Sequence, residues 1–254
     1  RATDAPEVWF SEPALRARFT VPDVIARGFD LRVDGTLRHQ TRSRPYGDLA
    51  PESEWRSRVH QVALVYLPPA AAFHWSVGRV LHQATPGAGW FDGALAEARL
   101  AGGLWLGAFG GFEPSWRTSE PSGDVRKAGV FARHAAGTAG RRYIEASLAA
   151  VGQYTDDGPS REYLHLAARA DLDRRLGLHT SWELDLNRDW RRDRAGESIT
   201  LSGVFAGLRW HARPQLDLNL DYDGRRTPWT AENRTLADSL IHDALRQGVR
   251  LRGR

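Results

Sequence analysis

Strict two-residue alternation is the feature of this chain that most restricts its fold. From Leu176 to Asn187 the even positions are Leu176, Leu178, Thr180, Trp182, Leu184 and Leu186, while the odd ones are Gly177, His179, Ser181, Glu183, Asp185 and Asn187. From Gln215 to Asp223, Leu216, Leu218, Leu220 and Tyr222 alternate in the same way with Gln215, Asp217, Asn219, Asp221 and Asp223. A helix turns 100° per residue and would smear either pattern around its circumference, whereas a strand sends successive side chains to opposite faces. Weaker alternation recurs at 29–38, 143–150 and 164–171. Together these runs predict twelve strands, at 29–42, 56–67, 73–82, 93–100, 104–113, 127–135, 141–155, 161–171, 176–188, 198–210, 215–226 and 244–254. Residues 1–28 form a separate N-terminal segment, either an extra strand over Ala14 to Thr20 or a periplasmic lead-in.

The links between strands alternate too. Short ones at 68–72, 101–103, 136–140, 172–175 and 211–214 are interleaved with generally longer ones at 43–55, 83–92, 114–126, 156–160, 189–197 and 227–243. In an antiparallel up-and-down meander every second link lies at the same end, so one end carries tight turns and the other longer loops. The loops are rich in breakers, as in Ser115 to Gly123 and Arg188 to Gly196, and no domain linker interrupts the series. One barrel domain over 29–254 is the expectation.

Many of these strands run past the five or six residues usual in soluble proteins and reach the nine to eleven that a tilted strand needs to cross a bilayer. A β-sandwich also alternates, but it does not account for two unequal ends. Tyr154, Trp190, Trp210 and Tyr222 stand at or near strand ends, where membrane barrels place aromatic girdles, although Trp105 and Trp182 stand mid-strand. No apolar run is long enough for a membrane helix, and Arg1 to Phe10 do not read as a signal peptide. Zero Cys excludes thiol catalysis, zinc ribbons and disulfide scaffolds; the net charge of +4 mixes 35 Lys and Arg with 31 Asp and Glu along the chain. Positive charge dispersed in this way does not suggest a nucleic-acid partner.

The run Phe73-His74-Trp75-Ser76-Val77-Gly78-Arg79, followed by a loop and then Trp90-Phe91-Asp92-Gly93-Ala94, resembles the strand, Gly-Arg, loop and Asp-Gly segment of Gram-negative outer-membrane porin-like β-barrels. Asp243-Ala244-Leu245-Arg246-Gln247-Gly248 resembles segments before a late strand in uncharacterised barrels of this kind. The resemblance implies a transmembrane barrel in the bacterial outer membrane, with outer-membrane lipid, lipopolysaccharide and the barrel-assembly machinery as partners. It also implies passive passage of ions or small polar solutes, with no cofactor. Such barrels usually finish on an aromatic residue; the ending Leu251-Arg252-Gly253-Arg254 departs from that, so either a closing strand is missing or the closing signal differs.

The candidate pore-lining residues are Glu183, Asp185, Asp217, Asp221 and Asp223, with Arg32, Arg38, Arg133, Arg169 and Arg209 as their basic counterparts. They either pack the lumen with ion pairs or set a transverse field across an open pore. The candidate lipid-facing residues are Leu176, Leu178, Trp182, Leu184, Leu216, Leu218, Leu220 and Tyr222. Nine His are spread along the chain without metal-ligand spacing. Ser181 beside His179 or His165 admits a lipid hydrolase or deacylase, but no Gly-x-Ser-x-Gly is present, and a polar lumen contains such neighbours anyway. The alternative to passage is a non-conducting anchor or surface-binding barrel acting through loops 114–126 and 189–197.

Overall fold

Alternating residues become strands from one end of the chain to the other. The computed structural model describes residues 9–42, 53–82, 85–115, 118–138, 141–213, 215–237, 240–241 and 244–253. Its strands are β1 (Phe10–Ser11), β2 (Ala14–Val21), β3 (Phe29–Arg42), β4 (Ser53–Tyr66), β5 (Phe73–Val80), β6 (Phe91–Arg99) and β7 (Leu104–Phe112). The series continues with β8 (Arg126–Gly137), β9 (Tyr143–Thr155), β10 (Gly158–Asp171), β11 (Leu176–Leu186), β12 (Ile199–Arg213), β13 (Leu216–Arg225) and β14 (Arg246–Gly253). One short helix, α1 (Trp190–Ala195), interrupts the β pattern, and no helix among the described residues is long and apolar enough to cross a membrane.

Each of the twelve expected strands is present, with ends moved by a few residues: β4 opens at Ser53 rather than 56, and β12 runs on to Arg213. Among the described residues the count is fourteen, because those before 29 add β1 and β2. These pair successive stretches of β3, Phe10 opposite Arg42 and Ala14 to Val21 opposite Arg38 to Leu31. All these strands lie in one sheet with antiparallel pairing, and from β2 onward each pairs with its sequence neighbours, so a two-sheet sandwich is excluded.

The sheet is an up-and-down meander, but it is not closed. Its edges are β1 with β2 on one side and β14 on the other. Because β1 and β2 share one edge, the width is thirteen strands, β1 to β14 with β2 off the path. Twelve antiparallel steps, an even number, leave both edge strands running the same way. Their direct union would be a parallel seam, unlike the even-numbered antiparallel closure of bacterial barrels.

The unequal ends are as expected, with one exception. The connection read as 156–160 is a two-residue turn at Asp156-Asp157, followed by Gly158 at φ +114°, a conformation that glycine adopts without strain. His242 and Asp243 lie outside the described residues, as do most of the 43–55 connection and Arg254.

Antiparallel register turns the alternation into rows that cross the sheet. One row reads Phe73, Ala98, Leu106, Ala132, Leu148, Leu166 and Trp182, apolar throughout and largely exposed on the outer face. The row on the opposite, inner face reads Val65, Ser76, Leu95, Phe109, Gly129, Val151, Tyr163, Asp185 and Thr200. Along this row the inner wall is apolar from β4 to β10 apart from Ser76 and turns charged at β11, while other inner rows of β5 to β10 carry buried charges such as Glu97 and Lys127. A uniformly polar interior was the expectation; the apolar half exists because a connection folds onto it.

Candidate functional site

That connection is 81–90, between β5 and β6. Ala88 belongs to the buried cluster with Val80, Phe91, Leu95, Phe109, Phe131 and Tyr163, and Thr85 has no exposed surface. Its tip crosses the inner face to β10. Tyr163 Oη donates to the Gly87 carbonyl at 2.8 Å, a contact between residues far apart in the chain. Gly87 lies against the His165 ring so closely that a Cβ there would sit 2.1 Å from the ring, so only glycine fits. Lys127, the one Lys of the chain, donates Nζ to the Ala88 carbonyl at 2.8 Å and pairs with Glu113 at 2.8 Å. At the base of the segment His82 lies on Phe131, ring centroids 5.3 Å apart, and burial pushes its imidazole down to about 4.

A second cluster stands nearer the short turns. Glu97 is buried and accepts Arg133 Nε and Nη2 at 2.8 and 2.7 Å, while His74 Nδ1 lies 3.1 Å from its carboxylate. The Trp105 ring is stacked on His74 and carries the Arg133 guanidinium 4.5 Å above its centroid. A carboxylate without solvent is retained here by a planar two-point donor, the geometry in which Arg is strongest.

The third cluster ties down the other long connections. Asp185, 1% exposed, accepts Arg161 Nε at 2.8 Å and Arg191 Nη2 at 2.7 Å, and Arg161 also reaches Glu183 at 2.8 Å. Arg191 belongs to α1, so the ion pair draws that helix onto the inner wall. Burial lowers the Arg191 pKa, opposed by the Asp185 carboxylate. Arg191 Nε donates to the Trp229 carbonyl at 3.0 Å, and the Ala231 N–H donates to Ser160 Oγ at 3.0 Å, which brings the β13–β14 connection over the same region.

The structure places each charged candidate on the inner face and pairs nearly all of them with a neighbour. Arg133 holds Glu97; Arg169 and Arg209 reach Asp171 at 3.0 and 3.7 Å; Arg38 pairs with Glu12 at 3.0 Å. Asp217 bonds His211, Asp221 pairs with Arg252 at 2.7 Å, and Asp223 with Arg225 at 2.8 Å. Glu183 and Asp185 come together on Arg161, and Arg32 has no ion pair among the described residues. Acid and base are thus interleaved along the wall and are not gathered on opposite sides. Ser181 makes no hydrogen bond to His179 or His165 among the described residues; the His179 ring lies instead on Phe205, at 5.1 Å.

The candidate lipid-facing residues share the other face. Leu178, Trp182, Leu216 and Leu220 are exposed there, and Leu176, Leu184, Leu218 and Tyr222 are half-buried by neighbours on the same face. At the short-turn rim of this face Phe29, Tyr66 and Trp75 cluster with centroids 4.8 to 6.4 Å apart. Sequence reasoning missed this aromatic group, because its members are separated in the chain and meet only through the β3–β4–β5 register. It also missed Glu97, Lys127, Arg161, Tyr163 and Arg191, and read 83–92 only as one of the longer loops. The available signals were the isolated Lys127 and the Gly-rich Pro86-Gly87-Ala88-Gly89.

One antiparallel meander, apolar outside and charged within, with long connections folded onto its inner wall, defines the architecture of an outer-membrane β-barrel. No protein-family model matches the chain, and neither does any curated protein. Among solved structures it is similar to OccK9 (OpdG) of Pseudomonas aeruginosa, at 12% identity over 99% of this chain and 84% of that one, with a TM-score of 0.45. It is also similar to OmpT, an outer membrane protein of Vibrio cholerae, at 10% identity over 94% and 91% of the two chains, TM-score 0.38. OccAB4 of Acinetobacter baumannii has 10% identity over 100% and 89%, TM-score 0.37. The assignment of the fold stands on the strand pairing and is independent of these likenesses.

Proposed function

We propose that this chain resides in a bacterial outer membrane and lets ions or small polar solutes pass along its inner face, without catalysis. The observation that carries the proposal is the division of one sheet into two faces. A soluble meander would bury its apolar rows, but here Leu106, Leu148, Leu166, Trp182 and Leu220 remain exposed together, as lipid contact requires. On the opposite face the charged residues from β10 to β14 offer a polar wall, on which Arg169, Arg209, Asp217, Asp221 and Asp223 would meet the solute. Rings and rows of charge of this kind set which ions pass.

The test is insertion of the purified protein into planar lipid bilayers. Steady steps of conductance support passage. A second reading, a non-conducting anchor or surface-binding barrel, is favoured by the 81–90 segment filling the inner wall and by the pairing of the lumenal charges. Stable insertion with no conductance at any salt concentration would select it.

A further inference from the structure

One cavity on the inner face borders the third cluster, with which it shares Glu183. It encloses about 340 Å³ at the long-connection end of β11, β12 and β13, and its inner-face lining is Ser181, Glu183, Phe205, Asp223, Arg225 and Arg226. Two rows of the register build it. In the first, Glu183, Gly203 and Arg225 lie side by side; in the next, Ser181, Phe205 and Asp223 do so. Gly203 contributes no side chain, so the first row leaves a notch floored by backbone. Neighbouring strands lie about 4.8 Å apart, which sets the Glu183 and Arg225 positions roughly 10 Å from each other across that floor. Phe205 forms an apolar wall beside it.

The charges are not used up by their existing partners. Glu183 gives Oε2 to Arg161 at 2.8 Å, which leaves its other oxygen for a ligand. Arg225 spends Nε on Asp223 at 2.8 Å, leaving its terminal nitrogens; Arg226 reaches Glu197 through Nη1 at 3.3 Å, and its buried Nε has no partner. Two carboxylates and two guanidiniums line the cavity, so its formal charge balances; of these Glu183 stands alone on the β11 side, whereas at the β13 end Arg225 and Arg226 face the single carboxylate of Asp223 and leave that end net positive. An ion of one sign gains at one wall and loses at the other. A molecule carrying both signs gains at both.

We propose that this notch binds small zwitterionic solutes, an amino acid or short peptide, with the ammonium at Glu183 and the carboxylate at Arg225 and Arg226. The assignment rests on the passage reading, since it names the solute class that the inner face would admit. Its position by the long connections makes it an entry station.

The experiment is liposome swelling by the full chain, with glycylglycine and a neutral pentose of similar size as the two probes. Wild type should admit glycylglycine faster than the pentose. In a Glu183→Gln, Arg225→Gln variant the glycylglycine rate should fall about fivefold, equivalent to about 1 kcal/mol at 1.4 kcal/mol per tenfold, while the pentose rate stays within about twofold. Gly203→Val fills the floor and removes neither charge, because a Cβ at this position meets the Glu183 side chain only at ordinary contact distances of 3.5 Å and beyond. It should slow glycylglycine as well. Equal wild-type rates for the two probes, or a variant that keeps the preference, would overturn the proposal. Swelling by neither probe would count against passage and not against the notch; titration calorimetry of glycylglycine into the detergent-solubilised protein then decides. Heat lost in the double variant supports the site, and no heat with wild type overturns it.

Discussion

Asp185 shows how one residue can be read from sequence for its face and not for its task. The alternation from 176 to 187 puts it opposite the leucines, and the structure agrees. That it gathers Arg161 from the next strand and Arg191 from α1 depends on a helix whose path over the wall no periodicity encodes. Removing one member of a buried ion pair leaves the other charge stranded and typically costs about 3–5 kcal/mol. Asp185→Asn strands the Arg191 guanidinium and leaves Arg161 with Glu183 as its carboxylate, so we expect a loss of that order in thermal melts of detergent-solubilised protein. We also expect new proteolytic cleavage at Arg192 and Arg194 as α1 leaves the wall. An unchanged melt with α1 still protected would show that the helix is held by Trp229 and its neighbours alone. Glu97 was missed for a related reason: in the run Ala94-Leu95-Ala96-Glu97-Ala98 a single acid in an apolar strand gives no hint that Arg133, two strands away, will cover it.

At the scale of elements, strands were legible and the infolded connection was not. Side-chain alternation is a local property, so every strand from β3 to β14 could be found with ends a few residues off, and link lengths alone separated the two ends. The path of 81–90 is set by contacts over long sequence separations, at Lys127, Tyr163 and His165, and these cannot be read from its own residues. Tyr163→Phe leaves the Gly87 carbonyl buried without its donor, a cost of about 1–3 kcal/mol that should loosen the tip. Gly87→Leu should expel the tip outright. Both variants should raise single-channel conductance in planar bilayers, Gly87→Leu more; if neither changes it, the segment does not restrict the path. His82 adds a dependence on pH. Its imidazole is buried among Glu97, Arg133, His74 and Arg32, and burial holds its pKa near 4, below the ordinary value of 6.5. A histidine depressed in this way stabilises the inward arrangement fully above about 6.5, and that contribution is lost as the pH falls from there through about 4. Protease access to 81–90 should therefore increase between pH 6.5 and 4, and His82→Phe, which cannot take a proton, should flatten the change.

For the whole molecule, the division into two faces is the property that places the sheet in lipid, and it can be tested at two adjacent residues. Leu220 lies in an outer row with Leu208, Leu178 and, across the last pairing, Leu251; Asn219, one position earlier, projects to the charged side with Arg209 and Arg252. Charge on a lipid face near the bilayer midplane costs about 2–4 kcal/mol, whereas on a polar wall it exchanges one solvated group for another. Leu220→Arg should lower stability by that amount in refolding titrations into lipid vesicles. Asn219→Arg should cost much less, its cost being the like-charge repulsion from Arg209 and Arg252, which stand directly opposite it on the two neighbouring strands. The open edges sharpen the comparison. β14 is exposed along its length, so a substitution one strand inside it samples lipid in the folded sheet without disturbing a closed seam. Equal losses at the two positions, or a compact monomer that stays soluble without detergent, would remove the membrane assignment and leave the apolar rows without an occupant.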